Sequence, residues 1–165
     1  MEELAMAKEI VFMQSVNNES IKWLIEQCQS DQEIVILLNS TGGETGAALA
    51  FYNFVRFKKI HLTVNVLSTC MSAAVIILCA GQKRIAAKQS RLLIHELTKG
   101  FNDGINEKVL AGILEDTKRQ NATVINVLTN VTKKPRSKIN SLYRQESLLT
   151  AQEAWELGLL TKKPY

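Results

Sequence analysis

The chain has 165 residues, a net charge of +4, 46% hydrophobic residues and 22% charged residues. At about 100–200 residues per domain, this length predicts a single domain with a hydrophobic core, and the composition excludes disordered and collagen-like chains. The basic pairs are dispersed, and the net charge lies inside the ordinary range of about 2–8 for a small domain, so no nucleic-acid partner is expected.

The cysteines and histidines do not form a disulfide or metal-binding pattern. Cys28, Cys70 and Cys79 are odd in number and lack a C-x-x-C spacing, and the only histidines are His61 and His95. Neither histidine has partners at the spacing of a zinc site. We therefore expect no disulfide framework, no metal and no other cofactor.

The sequence carries no signal for membrane insertion or secretion. Its longest apolar run, Ala73–Gly81, has nine residues, whereas about 20 are needed to span a bilayer. The first residues lack the basic segment followed by an apolar one that marks a secretory signal. These observations predict a soluble protein without a membrane partner, located in the cytoplasm.

The first seventy residues predict three strands that alternate with two helices. An N-cap at Asn17 begins one amphipathic helix, and the second is predicted over Thr45–Phe57. This alternation is typical of a parallel sheet covered by helices. The three predicted strands are Ile10–Gln14, Glu33–Leu38 and His61–Leu67.

The second half of the chain predicts more helix than strand. Ser72–Cys79 is short and apolar, and its periodicity does not decide between a buried helix and a strand. A long helix is predicted over Ile105–Val131, ending before Pro135 because residues that precede proline leave the α region. A strand is predicted over Arg91–His95, and helices over Ser137–Tyr143 and Ala151–Leu157, the last between a capping box at Thr150 and Glu153 and a terminating Gly158.

A pair of glycines follows the second predicted strand, in the turn Asn39–Gly43. Glycines allow a positive φ and bring bare backbone N–H groups close to a ligand. A negatively charged oxygen would be stabilised by such donors and by the start of the next helix. A simple tight turn between strand and helix is the alternative interpretation.

Ser72 stands at the start of the short apolar segment. There it could expose its hydroxyl group while the N–H of Ala73 points into the same space. An ordinary serine N-cap is the alternative. The two interpretations are compatible, because a nucleophile at a helix start could also cap the helix.

His95 ends a predicted strand, at the sheet edge where α/β proteins place their sites. A hydrogen-bonded core histidine is the alternative, whereas His61 is predicted to lie on the surface. A carboxylate partner for His95 cannot be chosen from spacing alone. The candidates are Glu96, Asp103, Glu107, Asp116 and Glu146.

The order of these features resembles that of the Clp proteolytic subunits, a family of serine peptidases with the ClpP/crotonase fold. The resemblance runs from Lys8 to Leu159. NSTGGETGAALAFYNFVRF is similar to the family's Gly-Gly turn and following helix, and CMSAAVIILCAG to its nucleophile helix. QSRLLIHEL is similar to its histidine segment, and LLTAQEA to the segment that follows its catalytic aspartate.

The resemblance implies a role for five residues. Ser72 matches the nucleophile and His95 the general base. Glu146 matches the position of the family's triad aspartate. Gly43 and Ala73 match the residues whose backbone N–H groups form the oxyanion hole.

The resemblance also implies a fold, an assembly and partners. The fold would be an α/β spiral of ββα units with a protruding helical handle at about residues 98–132. Homo-oligomeric rings would enclose a chamber in which peptides or unfolded proteins are hydrolysed through an acyl-enzyme. An AAA+ unfoldase is a further implied partner, although we expect the family's N-terminal axial segment to be missing.

Two alternative functions accompany this interpretation. Met71 stands where the family usually has alanine before its nucleophile, and Glu146 replaces aspartate, which suits a catalytically silent ring subunit. A crotonase-type enzyme would use the same backbone oxyanion hole on acyl-CoA thioesters, without requiring Ser72 and His95 together.

Overall fold

The computed structural model describes residues 7–29, 33–98, 100, 104 and 106–165. Six strands and six helices lie within these ranges. The strands are β1 (Lys8–Phe12), β2 (Ile34–Ser40), β3 (Leu62–Met71), β4 (Lys83–Ala86), β5 (Arg91–Ile94) and β6 (Ser147–Thr150). The helices are α1 (Asn18–Gln27), α2 (Thr45–Lys58), α3 (Ala73–Ala80), α4 (Glu107–Thr132), α5 (Arg136–Arg144) and α6 (Ala151–Leu157).

The six strands form one sheet with the order β1-β2-β3-β5-β6, and β4 also pairs with β3. All pairs are parallel except β5 with β6, which are antiparallel. In β2, Ile34, Ile36 and Leu38 are fully buried and alternate with partly exposed residues. The alternation of strand and helix predicted for the first half of the chain is confirmed.

Strand β3 is longer than the predicted strand His61–Leu67 and runs directly into Ser72. Its first part, Thr63–Val66, pairs with β4, and its last part, Thr69–Met71, pairs with β5. Pairing with a second partner keeps the polar end of the strand extended, which the hydrophobic pattern of the sequence does not reveal. His61 lies just outside the strand and is exposed, as predicted.

Strands β4 and β6 are absent from the predicted elements. Each has four residues, too few for a clear alternation of polar and apolar side chains. The buried Arg84 of β4 donates from Nε to the carbonyl of Leu159 at 2.7 Å and from Nη1 to that of Gly81 at 2.9 Å. The contact with Leu159 joins residues 75 positions apart in the sequence, so β4 depends on the tertiary structure.

The apolar segment that follows Ser72 is a helix. All eight residues of α3 are buried, and the helix packs against α2, α4 and strands β3 and β5. Burial on every side explains why its periodicity could not distinguish helix from strand. The helix is therefore the central element of the hydrophobic core.

Helix α4 has 26 residues and projects its first half away from the core. Its buried hydrophobic residues all lie in the second half, whereas Val109, Leu110 and Leu114 are about half exposed. The helix ends at Thr132, as Pro135 predicts. Residues 99, 101–103 and 105 of the predicted handle lie outside the described residues. Within the described ranges, no helix is long and apolar enough to cross a membrane.

Helix α6 begins and ends as the sequence predicts. Thr150 and Glu153 form the capping box, and Gly158 ends the helix with a φ of 89°. A Cβ atom at Gly158 would lie 2.8 Å from the carbonyl oxygen of Thr132 at the end of α4. The missing side chain therefore lets α6 pack against the end of the long helix.

Gly158→Ala is expected to lower the free energy of unfolding by about 1–3 kcal/mol, because alanine is strained at this φ and would contact the backbone of Thr132. The measurement is urea denaturation. Gly112→Ala is the control, since Gly112 lies inside α4 with no atom near its Cβ position. This substitution should raise the free energy of unfolding by about 0.5–1 kcal/mol, because alanine favours the helix more than glycine does. Equal effects of both substitutions would contradict the packing argument.

Candidate active site

Ser72 occupies a strained turn between β3 and α3. Its φ of 54° and ψ of −126° lie outside the extended region of an ordinary N-cap, and its side chain makes no capping hydrogen bond. The suggestion that Ser72 also caps the helix with its side chain is therefore wrong. Its N–H donates to the carbonyl of Leu93 at 2.9 Å, which fixes the turn against β5. Strained turns of this kind concentrate at functional sites.

The Gly-Gly turn is fixed on one side by Val16. The N–H of Val16 donates to the carbonyl of Gly42 at 2.8 Å, and the N–H of Glu44 donates to the carbonyl of Val16 at 2.7 Å. Gly43 has a φ of 146°, and a Cβ there would lie 2.1 Å from the oxygen of Val16. Only glycine fits between these two backbone segments.

The other side of the same turn lies against Ser72. A Cβ at Gly42, whose φ is 97°, would lie 2.5 Å from the carbonyl oxygen of Met71 and 2.8 Å from Cβ of Ser72. It would also lie 3.0 Å from the nitrogen of Ala73. The two segments that the sequence marked as candidates are therefore in direct contact.

Two backbone N–H groups at this contact are available to a ligand. Among the hydrogen bonds of the described residues, none is donated by the N–H of Gly43 or of Ala73. Ala73 is the first residue of α3, and the first N–H groups of a helix have no partner within it. The partial positive charge at a helix start favours a negatively charged oxygen.

His95 directly follows β5 and is half-buried. It shares with Ser72 the lining of two cavities, so the structure brings these two residues together. The first cavity, of about 20 Å³, is mostly apolar. The second is an open groove of about 500 Å³ whose lining includes Gly43 and Gln120. The parallel pairing of β3 with β5 explains the proximity, because both strands end at the same edge of the sheet.

Glu146 lies in the turn between α5 and β6, with an exposed side chain and a φ of 52°. Ser147 pairs with Ile94 in the antiparallel ladder, so Glu146 follows as the residue opposite His95. Glu146 lines neither cavity, and the hydrogen bonds of the described part of the chain do not join it to His95.

The other carboxylate candidates are placed less favourably. Glu96 is adjacent to His95 but approaches Arg144, with 3.7 Å between Oε1 and Nε. Glu107 starts α4 in its exposed half, and Asp116 accepts a hydrogen bond within the same helix. Asp103 lies outside the described residues.

Asn121 and Tyr143 support the site but have no recognisable signal in the sequence. Oδ1 of Asn121 accepts hydrogen bonds from the N–H of Leu97 at 3.1 Å and from the hydroxyl of Tyr143 at 2.8 Å. Burial raises the pKa of Tyr143 above its usual value, and the charge of Glu96 adds to this. One amide oxygen thus joins α4 and α5 to the segment that follows His95.

The cysteines are unsuited to act as nucleophiles. Burial raises the pKa of Cys28 to about 11 and that of Cys79 to about 12, and it raises the pKa of Cys70 strongly. All three thiols are protonated at neutral pH, whereas the thiolate is the reactive form. Among the residues that the structure describes, no group of three His, Cys, Asp or Glu side chains could hold a metal ion.

The α/β fold, with its long projecting helix and its serine turn beside a histidine, is of the ClpP/crotonase type. The sequence profile described as Clp protease matches residues 1–162. The chain belongs to the Clp protease family, as its motifs predicted. This membership gives no support to the crotonase-type alternative.

Three curated relatives carry the name ATP-dependent Clp protease proteolytic subunit. The protein of Deinococcus radiodurans is 27% identical over 139 residues, which cover 83% of this chain and 67% of the relative. Subunit 1 of Rhodococcus jostii is 29% identical over 141 residues, which cover 83% of this chain and 63% of the relative. Subunit 1 of Thermobifida fusca is 28% identical over 140 residues, which cover 82% of this chain and 62% of the relative. The chain thus spans about two thirds of the length of these relatives.

Gly42→Ala is expected to lower the free energy of unfolding by about 2–4 kcal/mol, because its φ is strained for alanine and its Cβ would overlap Met71 and Ser72. Urea denaturation measures this loss. Gly46→Ala is the matched control, since Gly46 lies in the first turn of α2 with open space at its Cβ position. A Gly42→Ala protein as stable as Gly46→Ala would disprove the close contact.

Proposed function

We propose that this protein is a serine endopeptidase subunit in which Ser72 is the nucleophile and His95 the general base. The observation that carries the proposal is that these two residues line the same two cavities. Ser72 stands there on a strained turn at the start of a helix. Membership of the Clp protease family supports the proteolytic chemistry.

The reaction would begin with the transfer of the Ser72 hydroxyl proton to His95. The serine oxygen forms a bond to the carbonyl carbon of the peptide. As the carbon–nitrogen bond breaks, the histidine returns the proton to the leaving amine, which leaves an acyl-enzyme. Water then attacks the ester while the same histidine takes its proton. The bond between the carbonyl carbon and the serine oxygen breaks, and the histidine returns the proton to the oxygen of Ser72.

The negative charge that develops on the carbonyl oxygen would be stabilised by the N–H groups of Gly43 and Ala73. One donor of this kind typically raises kcat by a factor of about 10²–10³. The register of β5 and β6 places Glu146 and His95 just beyond the Ile94–Ser147 pair, and this supports a role for Glu146 as the acid of the triad. It would hold the imidazole in the correct tautomer and stabilise its positive charge.

The substrate class we propose is a peptide or an unfolded polypeptide. The groove of about 500 Å³ beside Ser72 can accept an extended chain. The exposed aliphatic residues of α4, Val109, Leu110 and Leu114, suit a contact between subunits of stacked homo-oligomeric rings. We place this assembly in the cytoplasm, with an AAA+ unfoldase as its candidate partner.

A catalytically silent ring subunit is the second candidate function. One observation favours it: within the described residues, no hydrogen bond joins any two of Ser72, His95 and Glu146. Catalytic hydrogen bonds often form only when substrate binds, so measured reactivity decides between the two functions.

Ser72→Ala is expected to abolish covalent labelling by a fluorophosphonate probe, because the probe reacts with the activated serine oxygen. The assembly state, followed by size-exclusion chromatography, should not change. Ser68→Ala is the control, since Ser68 is an exposed serine on the same strand, and its labelling should equal that of the wild type. Labelling that persists in Ser72→Ala would refute the assignment, and an unreactive wild type would favour the silent subunit.

Glu146→Gln is expected to lower kcat for a fluorogenic peptide by up to about 10⁴-fold, because the neutral amide can fix the wrong histidine tautomer. Glu146→Asp should keep most of the activity, because aspartate retains the charge and tolerates a positive φ better. Glu96→Gln serves as the control, since Glu96 is the other carboxylate beside His95. If Glu96→Gln were the more damaging change, Glu146 would not be the triad acid.

A further inference from the structure

The small cavity beside Ser72 shares part of its lining, including Thr45 and Leu97, with the large groove. The two share Ser72 and His95, but the small cavity alone is bounded by Val75, Val124 and Tyr143. Its volume is about 20 Å³, which corresponds to a single water-sized group. Because Ser72 and His95 line both spaces, the cavity is positioned to receive the side chain of the substrate residue at the scissile bond of a peptide in the groove.

The side chain of Tyr143 forms part of the wall of this cavity and is held in place by a hydrogen bond. Tyr143 is 1% exposed, and its hydroxyl donates to Oδ1 of Asn121 at 2.8 Å. The same oxygen accepts the N–H of Leu97, which also lines the cavity. Outward movement of the ring would break this partly buried hydrogen bond and leave the phenol without its partner, which opposes any enlargement of the cavity.

We propose that Tyr143, held by Asn121, limits the substrate residue at the scissile bond to a small apolar side chain, of about the size of alanine. This inference rests on the proposed function, because it names the side chain that the same Ser72 would act upon. A methyl group fills the cavity without displacing Tyr143. A larger side chain must displace the buried ring or stay outside, where it gains no apolar contact.

The wall of the cavity explains the apolar part of the preference. Val75, Val124 and Leu128 are buried hydrophobic residues, and the hydroxyl of Tyr143 is engaged by Asn121. A charged substrate side chain would lose its hydration there without gaining a partner. Steric exclusion by the aromatic ring and the apolar lining therefore act on the same substrate position.

The test uses peptidyl diphenyl phosphonates that differ only in carrying the side chain of alanine, leucine or phenylalanine next to phosphorus. The serine oxygen displaces phenoxide from phosphorus, while the histidine takes the serine proton. A simple fluorophosphonate without a side chain is the reference for reactivity of Ser72. The wild type is expected to react at least about tenfold faster with the alanine probe than with the phenylalanine probe.

Tyr143→Val should reduce the ratio of the rate with the alanine probe to the rate with the phenylalanine probe to about one, or invert it. The reason is that the cavity gains the volume of the ring. Tyr143→Phe is the matched control, since it keeps the ring and loses only the hydroxyl, and should still favour the alanine probe. Asn121→Asp retains an oxygen acceptor for Leu97 and Tyr143 and should keep the ratio of the wild type. Asn121→Ala removes the acceptor and should lower the ratio of the alanine-probe rate to the phenylalanine-probe rate severalfold.

Val124→Ala enlarges the same cavity from the side of α4. It tests whether the size of the cavity limits the substrate side chain if Tyr143→Val does not fold. It should raise the relative rate of the leucine probe severalfold. If the wild type reacts with the fluorophosphonate but shows equal rates with all three phosphonates, this inference is wrong and the proposed function stands. If Ser72 reacts with neither class of probe, the proposed function fails and the inference fails with it.

Discussion

The close approach of Gly42 to the turn at Ser72 is the constraint on which the candidate site depends. Because Gly42 has no Cβ, the turn after β2 can lie against Met71 and Ser72 at distances that no other residue allows. This contact also brings the turn close to the backbone nitrogen of Ala73, the first residue of α3. The strain at Ser72 is maintained by the buried helix α3 on one side and by its hydrogen bond to β5 on the other.

Pairing between strands brings the remaining residues to the same place. β3 changes partner from β4 to β5 along its length, so that Ser72 and His95 leave neighbouring strands at one edge. The antiparallel addition of β6 brings Glu146 opposite His95 from a position 51 residues further along the sequence. Asn121 then joins α4 and α5 to the segment after His95, and so couples the long helix to the wall of the small cavity.

Local features of the sequence predicted much of the fold. The N-cap at Asn17, the capping box at Thr150 and the termination of α4 before Pro135 act over a few residues, so they can be read without a structure. The short strands β4 and β6 were missed, because their extended conformation depends on partners from other parts of the chain. The nature of α3 stayed open, since a segment buried on all sides loses the periodicity that distinguishes a helix from a strand.

Sequence motifs with a characteristic order and spacing indicate the family and the candidate residues Ser72, His95, Glu146, Gly43 and Ala73. The folded structure adds that Ser72 and His95 line the same two cavities, and that Tyr143, held by Asn121, lines one of them. It also decided that the side chain of Ser72 does not cap α3, since the backbone angle at that residue follows from the packing of the turn. Side chains that meet across a sheet or between helices carry no common signal along the chain, so their proximity exists only in the folded protein.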